Sequence, residues 1–368
     1  MPQLDGLRAI AVLSVLWFHW VPVGQNVGRA SLGEFGVDLF FVLSGFLITR
    51  ILLNSRSDYT IEKRAVLRQF YIRRFLRIFP LFYGVLVIAV LIDIHPFRDA
   101  WAWHVTYLQN FYQWMHGRDM WGAHLWTLAV EEQFYLAWPM VVLFISRNRL
   151  VPAVISLIVL APLFRFFCWS QGSSGDPILL PVSAMDCLGS GALIAILGNK
   201  LTQESMRKIT QWLFAIGVLG FCISHLGNNY AWDASRQTSI ALVCSFIVWR
   251  TSIGFKGIFG RTLQLAPISY IGRISYGVYV YHGFANAYWI WFFYSAPIPG
   301  YRIFDFLGWS YDLQERPVAV FIINVVVTFS MAILSWHFFE GPINRLKRFF
   351  PYESSSSRTT SHYKHIQA

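Results

Sequence analysis

Charge is what this sequence has least of. Only 13% of its 368 residues are Asp, Glu, Lys or Arg, against about 25% in an ordinary soluble domain. So few charges cannot cover a water-facing surface of this size. The same numbers exclude disordered, collagen-like, coiled-coil and nucleic-acid-binding chains. Acidic residues are the scarcer sign, 19 against 30 basic ones, for a formal net charge of +11. Cysteine is nearly absent. Cys168, Cys187, Cys222 and Cys244 each lie in or beside an apolar run, with no CxxC and no histidine at ligand spacing. They read as buried thiols, not as a disulfide framework or a metal site. Also missing are a GxGxxG with an acidic partner, a GxxxxGK[ST], an HExxH and a GxSxG. A soluble-type hydrolase or a nucleotide-driven pump therefore has no support.

What is abundant is apolar: 55% hydrophobic and 18% aromatic residues. Several runs are long enough to cross a bilayer, so the expected fold is all-α, a polytopic helical membrane bundle. Ten spans are expected, at about 9–23, 35–53, 78–94, 125–145, 151–169, 180–198, 209–226, 237–252, 270–294 and 317–339. The first could pass for a signal-peptide core, but Asp5 and Arg8 cancel in the leader and no small-residue cleavage pattern follows. It reads as a retained helix. Residues 1–348 form one expected domain, and 349–368, rich in serine, a disordered cytoplasmic tail.

The basic residues fix an expected orientation. With the N-terminus inside, Arg29, Arg98, Arg118, Arg236, Arg302 and Arg316 face outward, Arg165 falls within a span, and all the others face the cytoplasm. That asymmetry predicts both termini inside a plasma (inner) membrane. Residues 54–77 read as a basic cytoplasmic linker. Residues 100–121, dense in Trp, Tyr and His, read as an interfacial or re-entrant helix on the outer side.

Ionisable groups inside spans point to function. His19 follows Arg8 by eleven residues, about 16 Å along a helix. This puts Arg8 at the inner interface and His19 in the outer half. Asp38 lies in the second span and Glu131 and Glu132 in the fourth. A carboxylate beside an imidazole makes a usable general base. Glu132 alone is expected to be a helix-end or interface residue. Arg74 and Arg77 are spaced i, i+3 on a helix entering the membrane. Arginine suits phosphate because its fork donates two parallel hydrogen bonds.

Read in order, these blocks resemble one family. Leu4–Val12 followed by His19, Gly36–Phe46, Arg74-Phe75-Leu76-Arg77, Trp126–Tyr135, Ile274–His282 and Phe339–Pro342 are similar to the successive motifs of the membrane-bound acyltransferase type-3 family. Each block alone is weak, but together they are specific. The resemblance implies an integral membrane O-acyltransferase, moving an acyl group, most often acetyl, onto a hydroxyl of an exported or cell-surface carbohydrate. Its donor would be cytoplasmic acyl-CoA, with no metal. The resemblance places the phosphates on Arg8, Arg74 and Arg77 and the chemistry at His19, as general base or transient acyl carrier. Glu131 would orient or charge-balance His19, with Asp38 a weaker candidate for the same role. Some members carry a fused esterase-like domain, and this chain is expected to be the form without one. The implied partners are a carbohydrate or lipid-linked glycan and membrane lipids, with no nucleic acid. Exopolysaccharide, lipopolysaccharide, a lipid-linked oligosaccharide and a small metabolite all stay open as acceptors. The alternative reading is a transporter or flippase whose intramembrane His and carboxylates form a proton relay. A fixed phosphate clamp with a base deeper in the bundle favours the transferase.

Overall fold

A computed structural model describes residues 2–20, 27–57, 62–91, 100–117, 122–226, 229–285 and 317–352. Every regular element among them is helical. The helices are α1 (Pro2–Trp20), α2 (Val27–Ser57), α3 (Lys63–Leu91), α4 (Trp101–Val105), α5 (Gln109–His116), α6 (Trp126–Phe144), α7 (Arg147–Ser170), α8 (Met185–Gly198), α9 (Gln203–Ser224), α10 (Tyr230–Ile253), α11 (Gly257–Leu263), α12 (Ala266–His282) and α13 (Pro317–Ser335). A single π-turn, Trp336–Glu340, and short helical turns follow α13.

Each of the ten expected spans overlaps one of these helices, in part where 21–23, 92–94 and 286–294 lie outside the described residues. The apolar content supports a smaller number of independent crossings. Five helices are long and apolar enough, or six when α10 and α11, bent by 83°, count as one broken span. The others, α1, α6, α8 and α12, are the short or polar ones, and they stand at the centre of the bundle. α1 packs on α2 and α12, and α2 packs on α8 and α6. Helices at the rim turn bare apolar faces outward. Ile155, Val159, Leu163 and Phe166 form one such stripe on α7, and Trp212, Ile216 and Leu219 another on α9. Spaced three or four apart, these are lipid-facing rows. The molecule is a multi-pass helical membrane protein.

The segment expected as a linker up to Arg77 is helix from Lys63 onward. Its apolar residues Val66, Leu67 and Phe70 are buried, and that packing holds the turns which its charges alone would not. The aromatic segment 100–121 contains two short helices, α4 and α5, of which the longer is eight residues. The tail after Tyr352 lies outside the described residues.

Small residues set the central packing, as between helices that lipid does not drive together. A Cβ on Gly45 of α2 would strike the Leu188 carbonyl of α8, and one on Gly191 would strike the Val42 carbonyl in return. Gly272 of α12 lies equally close to the backbone of Asp5. Two hydrophobic clusters result, one around α2, α8 and α10, the other joining α1, α3 and α12.

Arg165, expected within a span, is fully buried and wholly satisfied. It pairs with Asp186 at 2.7 Å and donates to the carbonyls of Ser183 and Ala234 and to Thr238. This ties α7, α8 and α10 together. Removing one partner leaves an uncompensated buried charge, at a cost of about 3–5 kcal/mol. Arg165→Met is therefore expected to lower the thermal midpoint of the detergent-solubilised protein sharply. An unchanged midpoint would mean that the pair is not a structural clamp.

Candidate active site

Two cavities of the bundle are lined by residues of α1, an inner one at its Arg8 end and an outer one at its His19 end. The inner one, about 230 Å³, is lined by Arg8 of α1, Ser44 of α2, Arg74 and Arg77 of α3, Glu131, Glu132 and Tyr135 of α6, and Tyr276 and Tyr279 of α12. The outer one, about 400 Å³, is lined by His19, Glu34, Asp38, His124, Trp126, Trp169, Asp176, Asp233, Arg236 and again Tyr279.

The arginines reach the inner cavity through packing against aromatic rings. The Arg74 guanidinium lies over Tyr135 at 5.0 Å and over Phe70 at 5.7 Å. Tyr276 donates to the Ile78 carbonyl at 2.7 Å, bringing α12 against the α3 turn that carries Arg77. Arg8 pairs with Asp5 one turn earlier. Arg73 points elsewhere. It donates to the carbonyls of Lys347 and Phe350 at 3.0 Å and lies over the Tyr352 ring, holding the C-terminal turns. Arg74 and Arg77 thus share the cavity, and Arg73 does not line it.

Glu131 is a correction. It lines the inner cavity, whereas His19 lines the outer one. The Glu131 carboxylate accepts from Ser44 at 2.6 Å, and Ser44 in turn accepts from Tyr135 at 2.9 Å. The reason is its place on α6, five residues past Trp126. That is about 7.5 Å deeper along the axis, too far in to orient His19. Glu132, expected at an interface, lines the same cavity. Three guanidiniums thus face two carboxylates in the chamber, and one of them, Arg8, is also paired with Asp5. Asp38 does share the outer cavity with His19, and it accepts from Gln237 at 3.0 Å.

His19 is joined by two histidines. His282 lies 5.0 Å from His19 ring to ring, and His124 lies 4.5 Å from His282. His19 Nδ1 is 2.9 Å from the Val15 carbonyl. A carbonyl only accepts, so Nδ1 carries a proton, and in the neutral ring Nε2 is the basic nitrogen. The same logic puts the proton of His124 on Nε2, toward the Val280 carbonyl at 3.1 Å, and that of His282 on Nδ1, toward the Tyr279 carbonyl at 2.5 Å. Backbone carbonyls thus fix which ring nitrogen of each histidine carries a proton. His124 and His282 are buried, whereas His19 is exposed toward the cavity. Gly283 makes the cluster possible, because a Cβ there would run into the His124 ring. Among the described residues no group of His, Cys, Asp and Glu is placed to hold a metal ion.

Helix α5 holds His124 in position. Gln109 donates to the Leu125 carbonyl at 2.9 Å and Gln113 to the Ala123 carbonyl at 3.0 Å. Gln133 and Asn110 exchange hydrogen bonds that lock α5 to α6. His104 of α4 donates to the Ala100 carbonyl, and burial pulls its pKa down to about 4, so it stays neutral.

Spacing held signals for the residues that were missed. His124 precedes Glu131 by seven, two helical turns on one face. Tyr276, Tyr279 and His282 recur every third residue, which lines them along one side of α12.

An all-helical membrane bundle with an arginine-lined chamber at one end of α1 and a histidine-lined chamber at the other has the make-up of a membrane group-transfer protein. The comparisons name the family. The acyltransferase-domain family of the type-3 kind matches residues 1–337, and the chain belongs to it. The O-acetyltransferase OatA of Staphylococcus aureus is 28% identical over 372 positions, covering 94% of this chain and 57% of its own. The putative peptidoglycan O-acetyltransferase YrhL of Bacillus subtilis is 31% identical over 389 positions, covering 93% and 55%. The peptidoglycan O-acetyltransferase OatA of Listeria monocytogenes is 27% identical over 373 positions, covering 94% and 56%. The chain thus spans little more than half the length of these curated relatives. No solved structure matches it.

Proposed function

We propose that this protein is a membrane O-acetyltransferase that carries acetyl from acyl-CoA, bound at the inner cavity, to a hydroxyl of a glycan in the outer cavity. The observation that carries this reading is the division of α1. Arg8 lines one cavity and His19 the other, on a single rigid helix. The inner cavity suits the donor. It gathers three guanidiniums that can donate to phosphate, and about 230 Å³ admits a slender pantetheine arm but leaves the nucleotide at its mouth. The outer cavity suits a sugar. Trp126 and Trp169 offer flat apolar faces, and the carboxylates of Glu34, Asp38, Asp176 and Asp233 are acceptors for hydroxyls. The relatives' peptidoglycan acceptor makes a cell-wall glycan the acceptor to try first. The basic asymmetry of the loops supports an inner-membrane orientation with the arginines toward the cytoplasm.

In the reaction, the acceptor oxygen forms a bond to the thioester carbonyl carbon and the carbon–sulfur bond breaks. His19 Nε2 takes the hydroxyl proton, and that proton ends on the departing thiolate. Glu131, held by Ser44, faces the arginines and sets the charge of the donor chamber. A transporter needs a path open in turn to both faces. Two cavities that share only Val37 and Tyr279 in their linings favour transfer of a small group over passage of a whole substrate.

The test is reconstitution of the full chain in proteoliposomes with radiolabelled acetyl-CoA and isolated peptidoglycan strands. Base-labile acetyl ester on the glycan is the expected product. No ester on peptidoglycan, but ester on another exported polysaccharide, would move the acceptor. No ester on any glycan would end the reading.

A further inference from the structure

Among the described residues, only Val37 and Tyr279 line both cavities. Tyr279 is buried, and both ends of its side chain are held. Its hydroxyl pairs with the Thr127 hydroxyl at 2.6 Å and reaches the His124 carbonyl at 3.0 Å. Its ring meets Phe40 edge-on at 6.1 Å. Thr127 lines the inner cavity and His124 the outer, so the tether is stitched across the boundary. No step of the transfer described above uses this phenol.

We propose that Tyr279, braced by Val37, is a partition that keeps the donor thioester dry, so that the acetyl group is transferred and not hydrolysed. The inference rests on the reading of the inner cavity as the donor site. Water competes with any hydroxyl acceptor for a thioester. Its oxygen would bond to the carbonyl carbon, the carbon–sulfur bond would break, one proton would end on sulfur, and the acetic acid formed would ionise. The outer cavity is the wider of the two and rimmed by carboxylates, so it brings water to the acceptor side of the thioester. A wall one aromatic ring thick separates it from the inner chamber, yet lets a carbonyl lodged beside Tyr279 lie close to the His19 side. Excluding water from a reactive acyl group is a recognised task of active-site walls.

The test measures thiol released from acetyl-CoA by the purified full chain in proteoliposomes with no glycan present. Tyr279→Ala is expected to raise this acceptor-independent release by about tenfold, and Val37→Ala to raise it less. Tyr279→Phe keeps the ring and should leave the leak at the wild-type level while losing the tether. If Tyr279→Ala does not fold, Val37→Ala decides. The partition is overturned if folded variants bind coenzyme A as the wild type does and release thiol no faster. A wild-type protein that binds no acetyl-CoA would instead sink the donor reading. The wall can then be probed directly, with Ser44→Cys in a background without the native cysteines. A membrane-impermeant thiol reagent added from the outer side should label that cysteine when Tyr279→Ala is present and spare it otherwise. Equal labelling in both backgrounds means there is no wall.

Discussion

His19→Ala is expected to yield a protein that inserts and folds normally and transfers almost nothing. The ring is exposed at the outer cavity, where it meets Phe18 and His282 at 5.0 Å, and it bonds within its own helix to the Val15 carbonyl. Little packing is lost with it. What is lost is the Nε2 lone pair. Removal of a general base costs about 10²–10⁴ in rate. His19→Gln sharpens the point, because its amide can still donate to a carbonyl but cannot accept a proton. It should be as inactive as the alanine variant. The measurement is acetyl ester formed on glycan per unit of membrane-embedded protein. If either variant keeps more than a few per cent of wild-type transfer, the base is another group, and His282 is the next to replace.

Arg74→Ala and Arg77→Ala should act on the donor alone. Each removes a charge-assisted phosphate contact worth roughly 1.5–3 kcal/mol, which is about ten- to a hundredfold in affinity. Titration calorimetry of coenzyme A into the protein in nanodiscs reads this directly. The loss should shrink at high salt as the ionic contacts are screened. Arg73→Ala is the control. Its guanidinium holds the Lys347 and Phe350 carbonyls and not the cavity, so it should loosen the C-terminal turns and leave coenzyme A affinity unchanged. If Arg73→Ala weakens binding as much as the other two, the effect is one of general positive charge and the clamp is not a site.

Helix positions were legible because bilayer spans leave long apolar runs. The pairing of Arg8 with His19 was legible because eleven residues along one helix convert directly into depth. What could not be read was which helix faces which. Glu131 and His19 both fall within spans, yet α6 presents Glu131 to the arginines and its preceding turn presents His124 to His19's chamber. Depth along separate helices does not determine side-chain meeting, because the rotation of each helix is set by packing such as Gly45 on Leu188 and Gly191 on Val42. Hydropathy also overstated independence. α1, α6, α8 and α12 lie where ten spans were expected, but their own length and apolarity do not qualify them. The residues that lower their hydropathy, among them Arg8, Glu131 and Asp186, are those that line the cavities or clamp the core.

That central placement of the least apolar helices sets an order of assembly in the cell. A segment carrying ionised side chains near mid-bilayer partitions poorly by itself, each such residue opposing insertion by about 2.5–3.5 kcal/mol. α6 carries Glu131 and Glu132 and cannot settle alone, but its buried face is complementary to α2, which is long and apolar. The long apolar helices are able to enter the bilayer by themselves, whereas α1, α6 and α12 are expected to need neighbours to settle there. The histidine cluster closes only when α12, near the end of the chain, docks against α1.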